Sequence, residues 1–413
     1  MSATTHRGSR MLTVDKLFFR MEREGALKSE VTENGRSLPV FSHSFWTPKQ
    51  RQASSLQEIS YRACFKPQLP AFFIDALSEA GDRVYDPFSG RGTTPIEAAL
   101  KNRRIAANDI NPLSPILYSP RLNPPSFDEI KKRLDGLTWT DELKPDFDLS
   151  MFYHEQTLLE LLNLRAYLSE RRLAGVEDSL DTWIRMVATN RLSGHSPGFF
   201  SVYTLPPNQA VLPERQRKIN LARNQMPTYR PVAELILKKS RQLLRDVDNN
   251  IRQVLNIRNK DAIILSNDAR NTPEIANESI KLTITSPPFL DIVHYGNDNW
   301  LRLWFNELDE EAILSRMTLS SSLDNWSSIM AEVFHELFRI TCFGGFVAFE
   351  VGEVRCGSVR LEDNLLPSAH KAGFIPRALL INVQHFTKTA NIWGIGNNQD
   401  GTLTNRIILL EKN

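Results

Sequence analysis

The sequence predicts an α/β protein with a mostly parallel sheet and a long helical insertion. Three observations carry this. Residues 82–112, DRVYDPFSGRGTTPIEAALKNRRIAANDINP, run strand, glycine turn, helix, strand. The stretch from about 122 to 259 then shows apolar residues at helical spacing where a third strand is due. From residue 260 onward the alternation of strand and helix resumes.

Taken in order, residues 1–60 are mixed and poorly periodic, and SHSFWTPKQRQASS within them reads as a loop. This N-terminal extension either packs beside the following segment or touches a nucleic acid. PQLPAFFIDALSEAG predicts an amphipathic helix ending at Gly81. A strand over 83–88, a helix over 94–101 and a strand over 104–109 follow. The clearest helices of the insertion are MFYHEQTLLELLNLRAYLSERRLAG and VAELILKKSRQLLRDVDNNIRQVLNI, separated by the irregular LSGHSPGFFSVYTLPPNQAVLPERQRK. Strands are then expected in DAIILSNDARN, IKLTITSPPF, GFIPRALLINVQHF and NRIILLEKN. NWSSIMAEVFHELFRITCFGGFVAFEVGE adds a helix, a double-glycine turn and a strand. The expected domains are 61–121 with 260–413 as the α/β body and 122–259 as the insertion.

With 413 residues, 41% hydrophobic and 24% charged, the chain has an ordinary globular composition. Its three cysteines form no C-x-x-C pair, which argues against a disulfide framework or a zinc site. No metal and no membrane are expected, and the compartment that fits is a reducing cytoplasm. The net charge of +2 is nearly neutral. Locally the balance differs: residues 213–260 hold eight arginines and four lysines against four acidic residues. A solvated helical face and a nucleic-acid contact both fit that pattern.

Two motifs carry chemistry. In DPFSGRGTT, Gly90 and Gly92 let backbone approach a ligand, and Ser89 and Thr93 add donors. The next strand ends in Asn108-Asp109, where an acidic residue commonly takes a ribose diol; a turn cap is the plainer reading of Asp109. The spacing is not G-x-G-x-x-G, so a nucleoside with an amino-acid tail fits better than a dinucleotide. The second motif, TSPPF, ends an apolar strand with rigid punctuation at Pro287 and Pro288. A plain turn would also explain it.

DPFSGRGTT together with TSPPF resembles the S-adenosylmethionine-dependent amino-methyltransferases that act on DNA, in the Ser-Pro-Pro-Phe form typical of cytosine-N4 enzymes. YRACFKPQLPAFFIDAL resembles the segment that covers the cofactor's methionine end in that family. The resemblance covers residues 61–111 and 261–413. It implies a Rossmann-like methyltransferase sheet of seven strands, one of them antiparallel. It implies S-adenosylmethionine lined by Phe88, Gly90, Gly92 and Thr93, with Asp86 near the methionine amino group. It further places Asp109 on the ribose hydroxyls, Asp268 near the adenine amino group, and Lys66 and Pro67 over the cofactor.

For catalysis it implies that Ser286, Pro287, Pro288 and Phe289 receive a base swung out of the duplex. An exocyclic amine is a poor nucleophile because its lone pair is conjugated with the ring. Two acceptors aimed at its N–H bonds, the Ser286 hydroxyl and the Pro287 carbonyl, draw it toward tetrahedral geometry. Phe289 offers a flat face, and Tyr295 borders the base pocket. His294 reads as a structural hydrogen-bonder. No cysteine follows proline, so carbon-5 chemistry is set aside. Adenine-N6 enzymes usually carry aspartate where Ser286 stands.

The insertion is the candidate target-recognition region, with Arg215, Arg217, Lys218 and Arg223 as candidate contacts to duplex DNA. Its aromatic loop either inserts into the duplex or packs. A restriction endonuclease for the same site is the implied partner. Adenine-N6 methylation, RNA methylation and an inactive DNA-binding module are the rival readings. The cofactor motif precedes the catalytic one here, a circular permutation of the more familiar order, so recognition details do not transfer.

Overall fold

The computed structural model describes residues 4–33, 36–45, 53–61, 64–204, 211–288, 295–317, 322–354, 358–383 and 404–413. Helix α1 (Thr4–Arg23) leads into a hairpin of β1 (Leu27–Glu33) and β2 (Arg36–His43). Then come α2 (Gln68–Leu77), β3 (Arg83–Asp86), α3 (Thr93–Leu100) and β4 (Arg104–Asn108). A helical stretch follows: α4 (Leu113–Tyr118), α5 (Phe127–Asp135), α6 (Glu155–Leu173), α7 (Ser179–Arg191), α8 (Pro213–Ala222), α9 (Val232–Leu243) and α10 (Asn249–Lys260). The chain continues through β5 (Ile263–Leu265), β6 (Ile280–Thr285), α11 (Tyr295–Asn306), α12 (Glu310–Arg316) and α13 (Leu323–Ile340). It closes with β7 (Thr341–Val354), β8 (Val359–Arg360), α14 (Leu361–Ala372), β9 (Ile375–Val383) and β10 (Thr404–Glu411).

One sheet gathers the strands in the order β1-β2-β9-β10-β7-β6-β3-β4-β5, with β8 paired to β7. From β9 to β5 this is the expected seven-stranded, mostly parallel sheet. Strand β10 is antiparallel to both β7 and β9. The difference lies at the N-terminus. Residues expected to be irregular form a helix and a hairpin, and β2 joins β9 in parallel, extending the sheet. Pro39 lies in β2 and breaks the propensity signal there.

The two faces of the sheet follow the period of two. On one, Val84, Leu282, Ile284, Ala348 and Leu409 pack with α1 and α2 through Leu17, Phe73 and Leu77. On the other, Tyr85, Val347, Phe349, Ile408 and Leu410 pack with α13 and α14 through Phe334, Leu337 and Leu365. Strand β6 is buried on both faces, which is why LTIT reads as a continuous β-rich run.

The helical stretch is anchored to the sheet rather than hung from it. Leu255 of α10 shares a core with Ile96 and Ala99 of α3 and with Ile105 and Ala107 of β4. Capping boxes start α5, at Ser126 with Glu129, and α7, at Asp178 with Asp181. Buried Trp183 donates its indole N–H to Ser240 Oγ at 3.0 Å, joining α7 to α9.

Some of the local basic residues are used inside the fold, while most stay exposed. The Arg230 guanidinium donates to the carbonyls of Ser196, Phe199 and Ser201. Arg252 donates to those of Pro124 and Pro125. Lys239 is buried and donates to the Glu58 carbonyl at 2.6 Å. Phe199 and Phe200 of the aromatic loop are buried too, so the described part of that loop packs.

Arg121 is fully buried and holds the 3-10 turn at Ser55–Gln57 against the glycine loop. It donates to the carbonyls of Leu117 (3.0 Å), Leu56 (2.8 Å) and Arg91. Replacing Arg121 with methionine leaves those carbonyls without their donor, each a penalty of about 1–3 kcal/mol. We expect Arg121→Met to lose about 3 kcal/mol in chemical denaturation; an unchanged midpoint would show that other donors replace it.

Candidate active site

The site forms where α/β sheets bind ligands, beyond the carboxyl ends of the parallel strands. Strand β3 ends at Asp86 and the chain turns through Pro87–Gly92 into α3. Gly90 and Gly92 have φ of +50° and +79°, a region that side chains disfavour. At Gly92 a Cβ would also lie 2.1 Å from Cβ of Tyr118. Only glycine lets this turn close against α4. Thr93, expected as a cofactor-lining donor, is buried as the first residue of α3.

Asp109 follows β4 and reaches across to this loop. Its carboxylate accepts from the Gly90 N–H at 2.7 Å and the Asn111 N–H at 2.9 Å. Burial pushes its pKa up to about 6. Tyr61 lies over the loop, 3.7 Å from where a Cβ on Gly90 would stand, and the Arg302 guanidinium sits over its ring, 5.4 Å from the centroid. Asn108, fully buried, ties three strand ends together. Its amide donates to the carbonyls of Pro87 and Asn267, and its oxygen accepts the Asn267 N–H at 2.8 Å.

Asp86 joins this loop to the Ser-Pro-Pro segment. It is 1% exposed. Its Oδ1 accepts the Phe88 N–H at 3.1 Å and the Thr285 hydroxyl at 2.6 Å. Thr94 of α3 donates to the Ile284 carbonyl at 3.2 Å. Burial pushes the Asp86 carboxyl up to about 7, against the hydrogen bonds that favour its charge. Ser286, Pro287 and Pro288 follow directly. The Trp326 indole N–H donates to the Pro288 carbonyl at 3.0 Å, so that carbonyl is already engaged.

Sequence reasoning missed Glu350. It is 3% exposed on β7, and its pKa is pushed up to about 7 by burial. The Asn405 amide donates to its Oε1 at 2.5 Å. A cavity of about 190 Å³ beside it is lined by Cys64, Phe65, Lys66, Leu69, Asn382 and Asn405. No local motif marks Glu350; the parallel register of β6 and β7 brings it to Ser286.

The remaining candidates are placed as follows. Lys66 lines that cavity, and Pro67 caps the start of α2. Phe88 is half-buried against the α13 side of the sheet. Asp268 is held by Arg270, at 2.6 Å from Nη2, and also accepts the Arg270 N–H. Burial opposes its charge, but Arg270 keeps its pKa below the usual carboxylate value. Tyr295 begins α11, whereas Phe289 and His294 lie outside the described residues. Arg215, Arg217, Lys218 and Arg223 are exposed on or next to α8, far in sequence from the loops above. Arg217 pairs with Asp148 at 2.9 Å, and Arg223 stacks 3.9 Å above the Tyr203 ring. Among the described residues no cluster of His, Cys, Asp or Glu could hold a metal ion, and no helix is long and apolar enough to cross a membrane.

The raised pKa of Asp86 sets a sign for stability. A carboxyl ionised above pH 4 in the unfolded chain but only above about 7 when folded favours folding at low pH. That contribution is lost as pH rises through 7. The thermal midpoint of wild type should therefore fall relative to Asp86→Asn between pH 4 and 7.5. Parallel curves would contradict the burial assigned to Asp86.

Residues 22–113 match a family model described as DNA methylase. The chain is 23% identical over 291 residues to the Type II methyltransferase M.MvaI of Kocuria varians, covering 62% of this chain and 59% of that protein. It is 23% identical over 317 residues to the Type II methyltransferase M.BsoBI of Geobacillus stearothermophilus, covering 68% and 59%. The chain thus spans 59% of the length of each of these two relatives. Among solved structures, a TehB-like SAM-dependent methyltransferase from Corynebacterium glutamicum aligns over 83% of this chain and 87% of that one, at 6% identity and a TM-score of 0.30. That score is too low to bear on the fold, which rests on the strand order itself. The family model is described as a DNA methylase, and both relatives as Type II methyltransferases.

Proposed function

We propose that this protein transfers a methyl group from S-adenosylmethionine to the N4 amine of cytosine in duplex DNA. The observation that carries the reading is the 2.6 Å hydrogen bond from Thr285 to Asp86, which sets the Ser-Pro-Pro segment against the glycine loop. A cofactor on that loop and a base on Ser286 would be neighbours.

In this reading Phe88, Gly90, Gly92 and Thr93 line the cofactor, and Lys66 and Pro67 cover it. Asp109 takes the ribose hydroxyls, giving up its bond to the Gly90 N–H or sharing it. Asp86 faces the methionine amino group, whose positive charge would favour its ionised form. Asp268 meets the adenine amino group while Arg270 orients its carboxylate. The sulfonium supplies an activated methyl group. Ser286 Oγ and the Pro287 carbonyl accept from the base amine and align its nitrogen, while Phe289 and Tyr295 flank the base. Methyl transfer to that nitrogen would release a proton, which would pass to solvent. Positioning and preset acceptors supply the catalysis, without a covalent enzyme intermediate. Serine at position 286, rather than aspartate, favours cytosine over adenine.

Residues 122–259 form the target-recognition region in this proposal, with Arg215, Arg217, Lys218 and Arg223 on phosphates. A nuclease reading the same site would be the partner, and the cytoplasm the compartment.

The test is a nucleoside digest, read by mass spectrometry, of duplex DNA incubated with labelled S-adenosylmethionine. Labelled N4-methylcytosine with wild type, and at least about a hundredfold less with Ser286→Ala, is the expected result. Labelled N6-methyladenine would overturn the cytosine assignment, and label in RNA alone would overturn the DNA assignment. Replacing the four basic residues by alanine should make the log–log salt dependence of DNA binding shallower by about 3–4. An unchanged slope would remove them from the interface.

A further inference from the structure

We propose that β1 is a self-complementary sheet edge through which two copies of this chain join, strand to antiparallel strand, about a twofold axis at Ser29. The inference is independent of the reaction proposed above.

Strand β1 ends the sheet order, and among the described residues no strand pairs with its outer edge. Every residue from Leu27 to Thr32 is exposed. Leu27 is 76% and Val31 43% exposed, although native edges are usually blunted with charge or proline. The hairpin register says which backbone groups point outward. In an antiparallel ladder, pairs that exchange hydrogen bonds alternate with pairs that do not. Pro39 stands opposite Glu30 and has no N–H, so this pair is one that does not. The N–H and C=O of Lys28, Glu30 and Thr32 therefore point away from β2, toward the open edge.

A second copy pairs with that edge only in registers that set these three residues against one another. With the axis at Ser29, Lys28 meets Glu30 of the second copy, Glu30 meets its Lys28, and Leu27 meets its Val31. Moving the axis by one residue sets Lys28 against Lys28 or Glu30 against Glu30, and like charges directly opposite are destabilising. An axis at Val31 leaves Leu27 and Lys28 beyond the end of the partner strand. Backbone parity, charge and apolar contact thus select one register. In it, Leu27 and Val31 of both copies cluster on the face that carries buried Leu38 and Val40 of β2. The ion pairs form on the other face, where Lys28 Nζ meets Glu22 at 3.0 Å and Glu30 Oε2 accepts the Ser37 hydroxyl at 2.5 Å. An ammonium has three donors and a carboxylate two oxygens, so these internal contacts persist beside the new ones. A twofold contact closes on itself and builds no fibre. Strands β2, β9, β10 and β7 separate β1 from β6, so the joint lies away from the Ser-Pro-Pro segment. Edge charges also serve to prevent pairing, and charge reversal separates the two roles.

The experiment is sedimentation equilibrium of the full chain over a concentration series. Wild type should dimerise reversibly, with a dissociation constant below about 100 μM. Lys28→Glu and Glu30→Lys should each weaken the dimer at least about tenfold, because the twofold axis counts every charge pair twice. The two reversals combined should restore the wild-type constant to within about threefold. Ser29→Cys reads the register directly and serves where a charge reversal does not fold. Its two Cβ atoms face each other across the axis, so copper-catalysed air oxidation should cross-link two chains where it leaves wild type single. Val31→Cys, opposite Leu27, should not cross-link. A wild type still monomeric at about 100 μM overturns the proposal and leaves the edge to a strand of another chain or to solvent. A dimer that both single reversals leave intact overturns it too, because the contact then lies elsewhere. So does a combined variant no tighter than the single ones, or a cross-link through Val31→Cys in place of Ser29→Cys.

Discussion

The carboxyl of Asp86 is the point on which the site depends. It lies almost out of reach of solvent at the end of β3, and it receives a backbone N–H from its own loop and a hydroxyl from the end of β6. With the Thr94 hydroxyl on the Ile284 carbonyl and the β3–β6 pairing, it sets the separation of the glycine loop and the Ser-Pro-Pro segment. A direct transfer between two bound groups gains most of its rate from holding them at the right distance. The same bond explains why Asp86 tolerates burial: two donors offset part of the cost of desolvating its charge.

Around this bond the protein repeats one device. Polar side chains at strand ends reach sideways to the next loop. Asn108 spans the loops after β3 and β5, Asp109 grips Gly90, and Glu350 takes the Asn405 amide. Each group is satisfied within the sheet's carboxyl edge, so the loops have few alternatives. The arginines do the corresponding work in the helical stretch. Arg121, Arg230 and Arg252 bind backbone carbonyls that would otherwise be buried without donors. The basic residues left exposed lie on or beside α8, α9 and α10.

The legible parts were those with local causes. DPFSGRGTT announced its turn because Gly90 and Gly92 need positive φ, and the turn sits between a strand and a helix. The run LTIT followed by Ser-Pro-Pro announced a buried strand with a rigid end. The hairpin of β1 and β2 was not legible, since charged residues alternate on an exposed edge and Pro39 interrupts the pattern. Its place in the sheet is decided by pairing with β9, more than 300 residues away. Glu350 was hidden for the same reason, because strand register joins it to Ser286. The charge count over 213–260 misled in the other direction. It could not separate Arg230, caged by carbonyls, from Arg215, which faces solvent.

The central claim is that one sheet edge holds both the methyl donor and the base. The most direct measurement is a crystal structure of the protein with S-adenosylhomocysteine and a duplex containing its target site. The account predicts the ribose diol on Asp109, and an extruded cytosine with its amine within hydrogen-bond reach of Ser286 Oγ and the Pro287 carbonyl. A nucleoside bound away from the β3 and β4 ends, or a target base left stacked in the duplex, would contradict it.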